Sequence, residues 1–101
     1  MDFEFYRNFI TVAETGNLTT ASKKLALAQP ALSAQIKTLE HYYGAKLIQT
    51  ARGKRQLTLT EAGEAFLGKA RQICRTEETI LLDMQSFNKK ASGTLRFSVS
   101  P

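Results

Sequence analysis

A chain of 101 residues is enough for one ordinary domain and too short for two. Hydrophobic residues make up 43%, as in soluble globular chains, and no run approaches the roughly 18 apolar residues of a membrane span. Fourteen Lys and Arg against nine Asp and Glu leave a formal charge of +5, which favours acidic partners, nucleic acid being the commonest.

The surplus is uneven. Residues 1–59 carry net +4 and residues 60–101 only +1. The first element, "FEFYRNFITVAET", sets Phe5, Phe9, Val12 and Ala13 on one helical stripe. Gly16 and Asn17 stop it, because both tolerate the left-handed backbone of a helix C-terminus. Thr19 and Thr20 are candidate N-caps for a short second helix reaching about Ala26, with Ala21 and Leu25 inward and Lys23 and Lys24 outward. Leu27 and Ala28 then form a tight turn.

A third helix follows over "QPALSAQIKTLEHYY". Pro30 suits its first turn, where a missing N–H loses no partner. Leu32, Ile36, Leu39 and Tyr43 form its buried stripe, and Gly44 ends it. Its opposite side carries Gln29, Ser33, Ala34 and Lys37, small or polar and without a carboxylate.

Next the apolar period falls to two. Leu47-Ile48 and Leu57-Thr58-Leu59 flank Arg52-Gly53-Lys54-Arg55, a small β-hairpin with a cationic tip that must lean on the helices. Thr60 reads as the N-cap of a long helix, with Glu61 and Glu64 at its positive end. Along it Phe66, Ile73, Ile80 and Phe87 recur every seven residues, supported by Leu67, Ala70, Leu81 and Met84. A sevenfold repeat is a seam for another helix. The first three helices are expected to complete their own core, which leaves roughly 40 Å of helix for a partner. The plainer alternative is that this helix packs on its own domain. Ser92-Gly93 breaks the pattern, and Leu95–Val99 alternates like the first strand of a further domain.

Two short helices joined by a tight turn, then a hairpin with a basic tip, predict a mainly α fold. It is a winged helix-turn-helix (three helices plus a β-hairpin wing) followed by a long linker and dimerisation helix. The expected organisation is residues 1–60 for the winged unit, 61–88 for the linker helix, and 89–101 for a hinge and first strand of a missing effector-binding domain. In such a motif the second helix of the pair enters the major groove. Gln29 can pair with adenine, Ser33 can bond either base type, and Pro30 and Ala31 offer apolar surface to a thymine methyl. Phosphate contacts are expected from Thr19, Thr20, Ser22, Lys23, Lys24 and Lys37, and from Lys54 and Arg55 on the wing. Arg52 can reach a narrow minor groove. Each residue also has a plain reading: Gln29 as a solvated cap, Ser33 as ordinary surface, and Arg52–Arg55 as a solubilising tip. Phe66, Ala70, Ile73, Ile80, Met84 and Phe87 are the expected dimer interface.

The stretch "FITVAETGNLTTASKKLALAQPALSAQIKTLEHYYGAKLIQTARGKRQLTLTEAG" resembles the DNA-binding domain of LysR-type transcriptional regulators. Its most specific pieces are "QPALSAQIKTLE" and "LTLTEAG", and the likeness covers residues 1 to about 90. The tail "SGTLRFSVSP" resembles the entry to that family's effector-binding domain. The resemblance implies a winged helix whose linker helices pair two subunits antiparallel. It implies double-stranded promoter DNA as partner, a homodimer that becomes a tetramer in the full-length protein, and a small-molecule coinducer bound by a periplasmic-binding-protein-like domain. It also places Gln29, Pro30 and Ser33 at the major groove and Arg52 at the minor groove. Three departures stand out: Ala28 where many members carry a hydroxyl cap, Ala34 where many carry arginine, and Ile48-Gln49-Thr50 where Phe-Glu-Arg is common. Specificity is therefore expected to lean on Gln29, Ser33, the wing and DNA shape.

Other chemistry has little support. His41 beside Glu40 is expected to be a solvated helix residue rather than part of a metal site or catalytic pair. Cys74, the only cysteine, cannot form an intramolecular disulfide, which suggests a reducing compartment. Its default role is a small buried hydrophobe, with redox sensing as the alternative. "MDFEFYRNF" lacks the basic and apolar regions of a signal peptide, so a cytoplasmic protein is expected. No enzyme, no metal and no cofactor within this stretch are expected. A winged helix used for protein contact is the competing function, and a small enzyme the remote one.

Overall fold

The computed structural model describes residues 2–50 and 56–91, with side chains as far as 88. Helix α1 spans Phe3–Thr15, α2 Leu18–Leu25 and α3 Gln29–Tyr43; strands β1 (Ile48–Thr50) and β2 (Leu57–Leu59) follow, then α4 over Glu61–Ala91.

Local chemistry sets most of the boundaries. The Asp2 side chain accepts the Glu4 N–H at the start of α1. Gly16 ends that helix in the left-handed region, φ 67°, with its N–H returned to the Val12 carbonyl. Helix α2 is capped by Asn17, whose side chain accepts the Thr20 N–H at 2.9 Å, rather than by the expected Thr19 or Thr20. Asn and Thr both cap well, and Asn17 precedes the first turn while the threonines lie within it. The turn into α3 begins one residue earlier than expected, at Ala26, which takes a left-handed φ of 55° despite its Cβ. Two amides hold it there: Ala26 N–H donates to the Lys23 carbonyl and Leu27 N–H to that of Ser22.

The two strands pair antiparallel, with Ile48 opposite Leu59 and Thr50 opposite Leu57. They lean on the helices at both ends. Leu57 N–H donates to the Gly16 carbonyl, and Thr60 N–H donates to that of Leu47. The Thr60 hydroxyl donates to the Lys46 carbonyl and accepts the Gly63 N–H, capping α4 as expected. Gly63 is required for the closeness of this junction: a Cβ there would sit 2.0 Å from the Leu47 carbonyl oxygen.

Phe9, Val12, Leu32, Ile36, Leu39 and Leu47 are the largest fully buried side chains. The expectation that three helices complete the core is corrected here. Helix α4 runs antiparallel to α1, and its Ala70 and Cys74 are buried in the same cluster. Arg7 meets Glu77 at 2.6 Å near one end of this contact, and Arg71 meets Glu14 at 3.3 Å near the other. Exposed pairs of this kind contribute about 0–1 kcal/mol, so they set register more than stability.

Phe66 is also drawn inward. Its ring lies edge-on to Phe9 at 4.9 Å, and near Tyr6 and Tyr43 at 5.8 and 5.3 Å. Tyr43 was expected on the buried stripe but is 45% exposed; it is held by a hydroxyl–hydroxyl hydrogen bond to Tyr6. Past Glu77 the first helix has ended, and Ile80, Leu81, Leu82, Met84 and Phe87 are all exposed. The expected strand over residues 95–99 lies outside the described residues. No helix among the described residues is long and apolar enough to cross a membrane.

Candidate nucleic-acid interface

Helix α3 buries Leu32, Ile36 and Leu39 completely, and this fixes which side faces out. Gln29, Pro30, Ala31, Ala34 and Lys37 are exposed on that side, and Ser33 is half-buried. Ser33 and Lys37 border a groove shared with Leu18 of α2 and with Lys46, Ile48 and Gln49 at the first strand. Thr19, Thr20, Lys23 and Lys24 of α2 are exposed as well. Among the described residues Lys23, Lys24 and Lys37 make no ion pair, so their charge is free for a ligand.

The helix carrying this face is held from three sides. Asn8 of α1, only 3% exposed, donates its amide to the Gln35 side-chain oxygen at 2.8 Å. Thr19 Oγ1 donates to Gln29 Oε1 at 3.1 Å, tying α2 to the first residue of α3. Glu40 Oε2 accepts the N–H groups of Leu47 and Ile48 at 2.8 and 3.3 Å, tying the far end of α3 to β1. Lys46 lies 3.9 Å from the other oxygen. Ala28, the N-cap of α3, makes no side-chain cap hydrogen bond, as its side chain implies.

Several sequence expectations need correction. Ser22 is not at the surface: it is 6% exposed, and its hydroxyl donates to the Thr19 carbonyl at 2.8 Å. Its burial beside Ala21 in a short helix was not readable from the hydroxyl alone. Ala70 is fully buried against α1 and so is not free for another subunit, and Phe66 is half-buried in the aromatic cluster. Ile73 is half-buried against the same core. The reason is that a sevenfold apolar repeat specifies a partner helix but not which one, and α1 takes the first half of the repeat. Ile80, Met84 and Phe87 remain exposed. Arg52, Lys54 and Arg55 lie outside the described residues.

Glu40 and Asn8 had been given no role. Glu40 follows Ser33 by seven residues and so belongs to the carboxylate-free face by spacing; the structure folds its charge onto two backbone amides. Only the approach of Leu47, remote in helical terms, reveals this. His41 is exposed, and no cluster of metal-ligating side chains occurs among the described residues.

The helix pair, the short sheet and the long helix together define a winged helix-turn-helix protein. The family model of bacterial regulatory helix-turn-helix proteins of the lysR family matches residues 3–64. The chain belongs to this family. The HTH-type transcriptional regulator BsdA of Bacillus subtilis is 40% identical over 95 residues, covering 94% of this chain and 32% of that protein. The Hca operon transcriptional activator HcaR of Escherichia coli is 42% identical over 82 residues, covering 81% of this chain and 27% of that protein. This chain thus spans about a third of the length of the curated relatives it matches. Among solved structures, the BenM DNA-binding domain in complex with benA site 1 DNA superposes with a TM-score of 0.79 at 31% identity, covering 86% of this chain and 99% of that one. The DNA complex of the CbnR DNA-binding domain gives 0.72 at 34% identity, covering 92% and 99%.

Proposed function

We propose that this chain is the DNA-reading portion of a LysR-type transcription regulator, acting on double-stranded promoter DNA as a homodimer. One observation carries the reading: the outward side of α3 is exposed and cation-flanked, and its one carboxylate, Glu40, is mostly buried and tied to the Leu47 and Ile48 amides. Small and amide-bearing residues there fit a major groove, while carboxylates would meet phosphate repulsion. Gln29, Pro30, Ala31 and Ser33 face base edges; Thr19, Thr20, Lys23, Lys24 and Lys37 contact phosphates; Arg52, Lys54 and Arg55 extend the contact from the wing. The similarity to DNA-bound domains of BenM and CbnR supports this assignment. A cytoplasmic location and a coinducer-binding domain in the full-length protein complete the reading.

The subunit seam is the second half of α4. Ile80, Met84 and Phe87 continue the sevenfold pattern beyond the reach of α1. A shallow apolar groove lined by Phe3, Ile73 and Ile80 lies alongside.

Fluorescence anisotropy against cognate and random duplexes tests the assignment. Binding should weaken with salt by about 0.9 log unit per phosphate neutralised. Gln29→Ala should lower cognate affinity by roughly 1–3 kcal/mol while sparing random DNA. Equal losses on both duplexes would remove the base-reading role. Ile80→Asp with Phe87→Asp should give monomers in sedimentation and lose tight operator binding; unchanged sedimentation would place the seam elsewhere.

A further inference from the structure

We infer that the groove between α3 and β1 holds one backbone phosphate of the bound DNA, gripped by Lys46 together with Lys37. The inference rests on the DNA-reading assignment above and adds a contact to it. Lys37 comes from α3 and Lys46 from the turn into β1, and Ser33, Gln49 and Thr50 border the same groove. Two ammonium groups, two hydroxyls and an amide can all donate to a phosphate oxygen.

A carboxylate also borders the groove, and its state decides what the groove can take. Glu40 lies nearly one turn after Lys37, and its side chain is only 11% exposed. Its Oε2 accepts the Leu47 and Ile48 N–H groups at 2.8 and 3.3 Å. That stretch of main chain is itself fixed, because the Leu47 carbonyl accepts the Thr60 N–H at 3.0 Å. The negative charge is therefore turned inward, onto donors that cannot leave it for a ligand.

Lys46 is differently placed. It is 79% exposed and comes no nearer than 3.9 Å to the remaining Glu40 oxygen. An exposed pair at that separation is weak, so a phosphate in the groove can draw the ammonium into a shorter charge-assisted bond. Two lysines against one glutamate leave the groove a single positive charge, which one phosphodiester balances. The location suits a DNA strand as well. Ser33 and Lys37 belong to the outward side of α3, so the backbone edging the major groove runs beside them when that helix enters.

The test uses a duplex that the parent protein selects from a random pool, remade as a series in which one phosphate at a time is a neutral methylphosphonate. Fluorescence anisotropy gives the affinity for each member. Lys46→Gln should lose about tenfold per subunit on the unmodified duplex and on random DNA alike, the worth of a hydrogen bond to a charged group. The slope of log affinity against log salt should fall by about 0.9 per subunit. The variant should also lose most of its response at one phosphate whose neutralisation penalises the parent. Lys37→Gln should lose its response at that same phosphate, because the groove holds one. Lys46→Arg keeps the charge and should behave as the parent. In a Glu40→Gln background, Lys46→Gln should weaken binding just as much. Circular dichroism checks folding, with Lys46→Ala as the substitute if the glutamine variant does not fold. Responses lost at two different phosphates would make Lys37 and Lys46 separate surface contacts and overturn the inference. So would an unchanged salt slope in Lys46→Gln. A loss that vanishes in the Glu40→Gln background would reduce Lys46 to a screen for that carboxylate and overturn it too. A parent that binds no duplex in a salt-dependent way removes the DNA-reading assignment, and this inference with it.

Discussion

The contact between the first strand and the long helix can be probed at a single Cβ. In Gly63→Ala the new carbon would lie 2.0 Å from the Leu47 carbonyl oxygen and 2.9 Å from its carbon. Ordinary contact begins at 3.4 Å, so the two backbones must part by about 1.4 Å. The obstacle is main chain, so no rotamer change relieves it. Overpacking of this kind costs up to about 3 kcal/mol. The shift also strains the Thr60 N–H bond to the same carbonyl, which contributes about 1 kcal/mol. Alanine returns at most about 1 kcal/mol of helix propensity. The net loss is about 3 kcal/mol, or a fall of about 12–24 °C in Tm for a domain of this size. Gly68 in the same helix is the internal control, because nothing lies within 4 Å of its would-be Cβ. Gly68→Ala should stabilise by about 0.5–1 kcal/mol. Thermal and urea unfolding of both variants measure the contrast. If Gly63→Ala matched or exceeded the parent, the close packing of Leu47 on α4 would be refuted.

Three further outcomes are expected. Glu40→Ala should cost about 2 kcal/mol and raise hydrogen exchange at the Leu47 and Ile48 amides, while Glu40→Gln, which keeps an acceptor oxygen, recovers most of both; unaltered exchange would show that the carboxylate does not hold the strand. Tyr6 is pushed from 10.0 up to about 12 by its hydrogen bond with Tyr43 and by burial. The fold therefore favours the neutral phenol. Its contribution to stability is whole below pH 10 and is lost as pH climbs towards 12. Tyrosinate absorbance should show a late phase that Tyr6→Phe removes. Burial pushes the Cys74 thiol up, against a smaller opposing pull from Arg7, so the native protein should react with a disulfide reagent far more slowly than the urea-unfolded chain. Arg7→Ala should not speed that reaction through the thiolate, since the arginine favours ionisation.

The elements themselves were legible because their signals are local. The stripe of Leu32, Ile36 and Leu39, the proline in the first turn of α3, the left-handed Gly16 and the Thr60 cap each act within a few residues. That same stripe decided in advance which side of α3 is turned away from the core. The outward exposure of Gln29, Pro30 and Lys37 therefore needed no knowledge of the remaining fold. Composition and the quoted motifs pointed to the family for the same reason, since they are properties of adjacent residues.

What the chain order could not convey was which surfaces meet. Phe66 and Ala70 read as part of a seam between subunits, yet α1 occupies that half of α4, because apolar periodicity names a face and leaves its partner open. Ser22 looked like a free hydroxyl until the packing of α2 closed over it. Glu40 sits on the outward side of α3 by helical count, and only the return of the chain at Leu47 and Ile48 brings two amides to its carboxylate. Sequence by itself determined the secondary structure and the exposed face, because hydrogen bonding and burial along one helix depend on near neighbours. Tertiary structure alone decided how the apolar repeat is divided and where buried polar groups such as Asn8 find partners, because those contacts join residues far apart in the chain, Asn8 and Gln35 lying 27 positions apart.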